Sequence, residues 1–178
     1  MEVQKLMVGP LRTNCYLVFS GQEAIVIDPG DDEEIILAEL EKKKVKLSYI
    51  INTHYHFDHT TANEDVHRAT GAKILIHEGE KEYVDFHVDR WLSDNDEIEF
   101  GNDKLKVIHT PGHTTGGICL LGENNIFTGD TLFKGAYGRT DLDGSSPEAM
   151  QKSLIRLKEI IKSGMHVYPG HGHDYIAE

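Results

Sequence analysis

The sequence predicts an α/β protein built as a layered sandwich, and three observations carry that reading. Strand-like and helix-like runs follow one another in the order strands, helices, strands, helix, which suits stacked sheet and helix layers more than a Rossmann unit. The run "LSYIINT" at 47–53 is almost continuously apolar, as expected of a strand covered on both faces. No Gly-x-Gly-x-x-Gly follows a strand, and no fixed-period repeat, low-complexity tract or linker divides the 178 residues, a length that fits one domain with a single core.

Taken in order, "EVQKLMV", "NCYLVFS" and "EAIVIDPG" read as three strands broken at Gly9-Pro10 and Ser20-Gly21, an antiparallel meander. "DDEEIILAELEKKK" reads as a helix: Ile36, Leu37 and Leu40 share one face, and its acidic start suits the positive helix N-terminus. The buried strand at 47–53 comes next, then a helix over 60–69 and a strand "KILIH" at 73–77. The polar stretch 79–97, which holds the single tryptophan Trp91, has no clear period. "KLKVIHT", "GICLLG" and "NNIFTGD" read as further strands. Ser146-Pro147 has the form of an N-cap followed by proline at the first helical position. Met150, Leu154, Leu157 and Ile161 then give that helix a buried face, and "MHVYPGHGHD" supplies a last strand.

Composition narrows the function. Hydrophobic residues at 39% and charged residues at 27% describe a globular chain. A net charge of -12 disfavours nucleic acid as a partner, because phosphate backbones are held mainly by lysine and arginine. No segment is apolar for long enough to span a membrane, and no basic n-region precedes an apolar stretch, so the expected location is cytoplasmic. Cys15 and Cys119 are the only cysteines and both lie in apolar runs; they read as buried thiols rather than a disulfide framework or a Cys-rich zinc site.

The chemistry concentrates at strand ends. "THYHFDH" places His54, His56, Asp58 and His59 directly after the buried strand. Alternate residues of a loop project together, so His54 and His56 can serve one ion while Asp58 and His59 point toward another. Imidazoles with a carboxylate suit zinc or iron, whereas calcium and magnesium take mainly oxygen. His113 in "HTPGHTTGG", Asp130 in "FTGDTLF" and His171 in "VYPGHGHD" each follow another strand. Several tips of like character point to one shared site. His67, His77, His87, His109, His166 and His173 lie outside the set and read as surface or supporting residues, with His173 nearest the site in sequence.

In these motifs and their order the sequence resembles the metallo-β-lactamase superfamily, and within it the hydroxyacylglutathione hydrolases (glyoxalase II) and their single-domain relatives. The resemblance implies a four-layer αβ/βα sandwich over residues 1–178, without the C-terminal helical domain of glyoxalase II. It implies two divalent metal ions between the sheets, zinc first, with iron or manganese as alternatives. His54, His56 and His113 would hold one ion, Asp58, His59 and His171 the other, and Asp130 would bridge them. Asp58 would also be catalytic, orienting a metal-bound hydroxide that attacks the carbonyl of a small thioester or ester. No Gly-x-Ser-x-Gly elbow competes with that nucleophile.

"GDTLFKGAYGRTDLDG" resembles the glyoxalase II stretch after the bridging aspartate, where a basic residue helps hold the glutathione carboxylate. Arg139 matches that position, with Lys134 and Tyr137 as further substrate contacts; a structural ion pair of Arg139 with Asp141 is the competing reading. Thr140-Asp141 stands where the family has an aromatic residue. The alternative activity is a mononuclear iron persulfide dioxygenase. A lactonase, a phosphodiesterase and a noncatalytic family member rank lower, and His56 argues against the flavodiiron class, which carries glutamate there.

Overall fold

The computed structural model describes every residue from Met1 to Glu178. Strands β1 (Glu2–Val8), β2 (Thr13–Ser20) and β3 (Glu23–Ile27) form the expected antiparallel meander. Helix α1 (Glu33–Lys43) returns the chain to β4 (Lys46–Ile51), which runs parallel to β3. A single helical turn, α2 (Phe57–Thr60), and helix α3 (Asn63–Thr70) lead to β5 (Lys73–His77). A 3-10 turn at Glu78–Glu80 follows, and β6 (Arg90–Leu92) ends the first sheet, ordered β1-β2-β3-β4-β5-β6.

The second sheet begins with β7 (Glu97–Phe100), β8 (Asp103–His109), β9 (Ile118–Leu121) and β10 (Asn125–Gly129). A ribbon of β11 (Leu132–Phe133) and β12 (Ala136–Tyr137) precedes helix α4 (Pro147–Ile160). Strands β13 (His166–Pro169) and β14 (Tyr175–Ile176) complete the order β14-β13-β10-β9-β8-β7, in which β10 and β13 are parallel.

Side-chain alternation explains the layers. All eight residues of β2 are buried, because successive residues face opposite sides and both sides are covered. Cys15, Leu17 and Phe19 pack with Ile36 and Leu40 of α1 and Val66 of α3. Tyr16 and Val18 point the other way, into a core shared with Phe100, Leu105, Leu120 and Phe127 of the second sheet. Leu157 of α4 packs on Ile108, Cys119, Ile126 and Val167. Helices, sheet, sheet and helix make the four-layer αβ/βα sandwich. No helix is long and apolar enough to cross a membrane.

Three local readings need adjustment. The stretch 79–97 contains β6 and the start of β7. Both strands are short, and β6 passes from exposed Arg90 to buried Leu92 on one face, so the stretch shows no period. On α4 the buried side chains are Met150, Ser153 and Leu157, with Leu154 and Ile161 half-buried; the Ser153 hydroxyl is spared a desolvation cost by donating to the Pro111 carbonyl at 2.7 Å. The second half of "THYHFDH" is helical rather than loop, so the alternate-residue rule applies to His54 and His56 and not to Asp58 and His59.

Candidate metal centre

The site lies where strand ends of both sheets meet. The backbone amide and hydroxyl of Thr53, just past β4, donate to the two oxygens of Asp28 at 2.7 Å each. Asp28 stands at the tip of β3 and also meets His59 Nδ1 at 2.9 Å. Asn52 donates to the His59 carbonyl at 3.0 Å and exchanges hydrogen bonds with Asn63 of α3. These buried polar contacts fold the histidine-rich segment back over the sheet edge. Gly30 lets the Asp58 backbone approach, since a β carbon there would collide with the Asp58 carbonyl. Gly170 has the same role opposite, where a β carbon would meet Asp130 Oδ1.

All seven predicted ligand residues converge. His54, His56 and His113 present nitrogens within 4.8 Å of one another, as do the ligand atoms of Asp58, His59 and His171. His113 Nε2 is 3.0 Å from His56 Nδ1 and 3.6 Å from Asp130 Oδ2. On the other side His59 Nε2 is 3.3 Å from His171 Nε2 and 3.5 Å from both Asp58 Oδ2 and Asp130 Oδ1. Asp130 therefore faces both groups.

The donor set fits metal ions. The His113 Nδ1 proton goes to the Arg139 carbonyl at 2.8 Å, leaving Nε2 with a bare lone pair. His54 Nδ1 lies 3.0 Å from Thr53 Oγ1, whose own proton goes to Asp28; Nε2 is again the lone-pair atom. His54 Nε2 and Asp130 Oδ1 are buried without any hydrogen-bond partner. His54 and Asp130 present ligand atoms within 4.8 Å of one another, and buried acceptors so close are costly unless a cation lies between them.

Electrostatics divide the cluster. Burial, then the neighbouring imidazoles, push His54 well below the usual histidine range and bring His56 down to about 4. Burial also opposes charge on His59, but Asp130, Asp28 and Asp58 outweigh it and lift that imidazole to about 9. A hydrogen bond to Asp58 raises His171. Burial would raise Asp58 itself; the hydrogen bond from His171, the His59 imidazole and the Thr13 hydroxyl at 2.9 Å prevail and hold it well below the carboxylate range.

The predicted substrate contacts do not join the cluster. Lys134 and Tyr137 lie exposed on and beside the β11–β12 ribbon. The Arg139 guanidinium pairs with Asp141 at 2.7 and 2.9 Å, while its carbonyl supports His113. His173 is exposed and borders a recess with His171, Met7 and Leu11. Sequence reading missed Asp28, Thr13 and Thr53. For Asp28 the signal was present, an acidic residue at a strand tip in "VIDPG".

Residues 8–173 match the metallo-beta-lactamase superfamily. The probable polyketide biosynthesis zinc-dependent hydrolase PksB of Bacillus subtilis (strain 168) is 34% identical over 92% of this chain and 78% of its own. The hydroxyacylglutathione hydrolase of Pelagibacter ubique (strain HTCC1062) is 35% identical over 96% of this chain and 71% of its own. Among solved structures, TTHA1623 in a di-iron-bound form superposes with a TM-score of 0.87 at 30% identity, covering 98% of this chain and 94% of that one. By sequence and by fold, the chain belongs to the metallo-β-lactamase superfamily.

Proposed function

We propose that the protein is a dinuclear hydrolase of small thioesters, of the glyoxalase II type, with zinc as its first metal. The observation that carries this reading is the pair of ligand groups facing a common Asp130. Two bound divalent ions would lower the pKa of a water toward neutrality and polarise a carbonyl oxygen. His54, His56 and His113 would hold one ion, Asp58, His59 and His171 the other, with Asp130 between them. Asp58 keeps a negative charge against its burial and would accept a proton from the attacking water and orient it. A thiolate leaves more readily than an alkoxide, which favours a thioester over an ester. The relatedness to a hydroxyacylglutathione hydrolase supports the substrate class, and the -12 net charge favours a small molecule over nucleic acid.

The test is metal analysis of the purified protein joined to assays on thioester, lactone, phosphodiester and persulfide substrates. Two metal equivalents with thioester turnover are expected. One iron per chain with persulfide-dependent oxygen uptake would replace the proposal with a persulfide dioxygenase.

A further inference from the structure

We infer that Glu80 is a positioning residue for the metal centre: its buried carboxyl fixes the Thr114–Gly116 turn and, through that turn, the His113 imidazole. The inference rests on His113 being a metal ligand.

Glu80 closes the 3-10 turn after β5 and is 0% exposed, although glutamate is almost never fully buried without a charged partner. No lysine or arginine pairs with it. The ionisable groups around it are the phenol of Tyr55, on which the Tyr83 ring stacks, and, beside the same turn, the imidazoles of His77 and His109, stacked at 4.1 Å. Its Oε1 accepts the Thr114 hydroxyl at 2.5 Å and the Gly116 amide at 2.8 Å, while Oε2 is buried with no hydrogen-bond partner. An exposed turn would satisfy those two donors with water at no such cost.

The backbones are equally close. A β carbon on Gly116 would stand 2.7 Å from Glu80 Cγ, and one on Gly79 would stand 2.8 Å from Gly116 Cα. His109 Nε2 donates to the Thr115 carbonyl at 3.0 Å, and the Thr115 hydroxyl donates to the Gly144 carbonyl at 3.0 Å. The residues that follow His113 are thus clamped on Glu80, while the Arg139 carbonyl orients the ring. A small shift of this turn moves a ligand atom.

Burial pushes the Glu80 carboxyl up from 4.5 to about 7, against the two donors that favour its charge. The folded state therefore prefers the neutral acid. Stability on this account is lost as pH rises from the unfolded value through about 7, and the loss is complete above that.

The experiment strips the full chain of metal, returns zinc or cobalt, and measures both binding equivalents by chelator competition in wild type, Glu80→Ala, Glu80→Gln and Thr114→Val. Glu80→Ala is expected to weaken one equivalent by about 10–100-fold, the range for residues that support a ligand, and to leave the other within about threefold. Glu80→Gln keeps the Oε1 acceptor and should restore affinity to within about threefold of wild type. Thr114→Val removes one donor and stands in if Glu80→Ala does not fold; it should weaken the same equivalent several-fold. In metal-free protein, the melting temperature of Glu80→Gln should pull ahead of wild type as pH rises from about 5 to about 7.5, because glutamine cannot ionise. Untouched affinities, equal weakening of both equivalents, or parallel melting profiles would overturn the inference. A wild type that binds no metal would bring down the metal-centre reading with it, whereas two equivalents in wild type and two of unchanged affinity in folded Glu80→Ala would sink this inference alone.

Discussion

The two ligand groups use the same side chains in different electrostatic settings. Around His54, His56 and His113, burial and mutual repulsion suppress protonation of His54 and His56. Around Asp58, His59 and His171, carboxylates outweigh burial and draw positive charge onto both imidazoles. The first group offers an ion neutral lone pairs, and the second offers carboxylate charge that a bound ion would neutralise in place of the imidazole protons. Burial alone does not decide the character of a histidine site, since His54 and His59 are both fully buried yet shift in opposite directions.

The sharpest break of this contrast is Asp58→Asn. It removes the charge from the second group and the proton acceptor from the reaction, with little change in shape. Turnover of the hydrolysed thioester should fall by roughly 10²–10⁴-fold, the range of a lost general base. Steady-state kinetics with parallel metal analysis checks this, and a fall of less than about tenfold would remove Asp58 from the catalytic role.

Single-ligand truncations should then separate the groups. His113→Ala should weaken one metal equivalent by more than about 100-fold, beyond the effect of a supporting residue, and His171→Ala should weaken the other. Chelator competition on each variant reads this directly. If both variants lost both equivalents together, the two groups would form one cooperative site and the contrast would lose its meaning. A smaller and one-sided effect is expected of Asp28→Asn. Asp28 holds His59 Nδ1 and both Thr53 donors, so the His59 side should lose about 10–100-fold in affinity while its partner shifts less.

Much of this was legible in the sequence because the ligands sit at strand ends that can be read locally. "THYHFDH", "PGHTT", "TGDT" and "PGHGH" each follow an apolar run; parallel β3 and β4 bring Asp28 and "THYHFDH" to one edge of the first sheet, and parallel β10 and β13 bring "TGDT" and "PGHGH" to one edge of the second. The supporting residues were less legible. Glu80 sits in a polar stretch without period, and its value comes from contacts 34 and 36 positions away. The "EIEF" strand alternates cleanly between exposed and buried, yet a run of four residues gives a weak signal. Asn52 and Asn63 resemble ordinary turn residues until both are found buried and paired.

Arg139 gives the smallest expected effect and the most pointed test of substrate recognition. Its guanidinium is exposed and engaged by Asp141 through two hydrogen bonds. A substrate carboxylate would compete for that same planar fork. Exposed ion pairs contribute little to stability, so neither Arg139→Ala nor Asp141→Ala should disturb folding. The residue 139 carbonyl survives in Arg139→Ala, so His113 keeps its hydrogen bond and metal content should be unchanged. On this geometry, Arg139→Ala raises KM for a carboxylate-bearing thioester by no more than about threefold, as for a screened surface charge. Asp141→Ala frees the fork and should lower KM for the same substrate while leaving an uncharged thioester unaffected. A KM increase above about tenfold in Arg139→Ala, at constant kcat, would mean that uniform substrate binding was lost and that the carboxylate displaces Asp141.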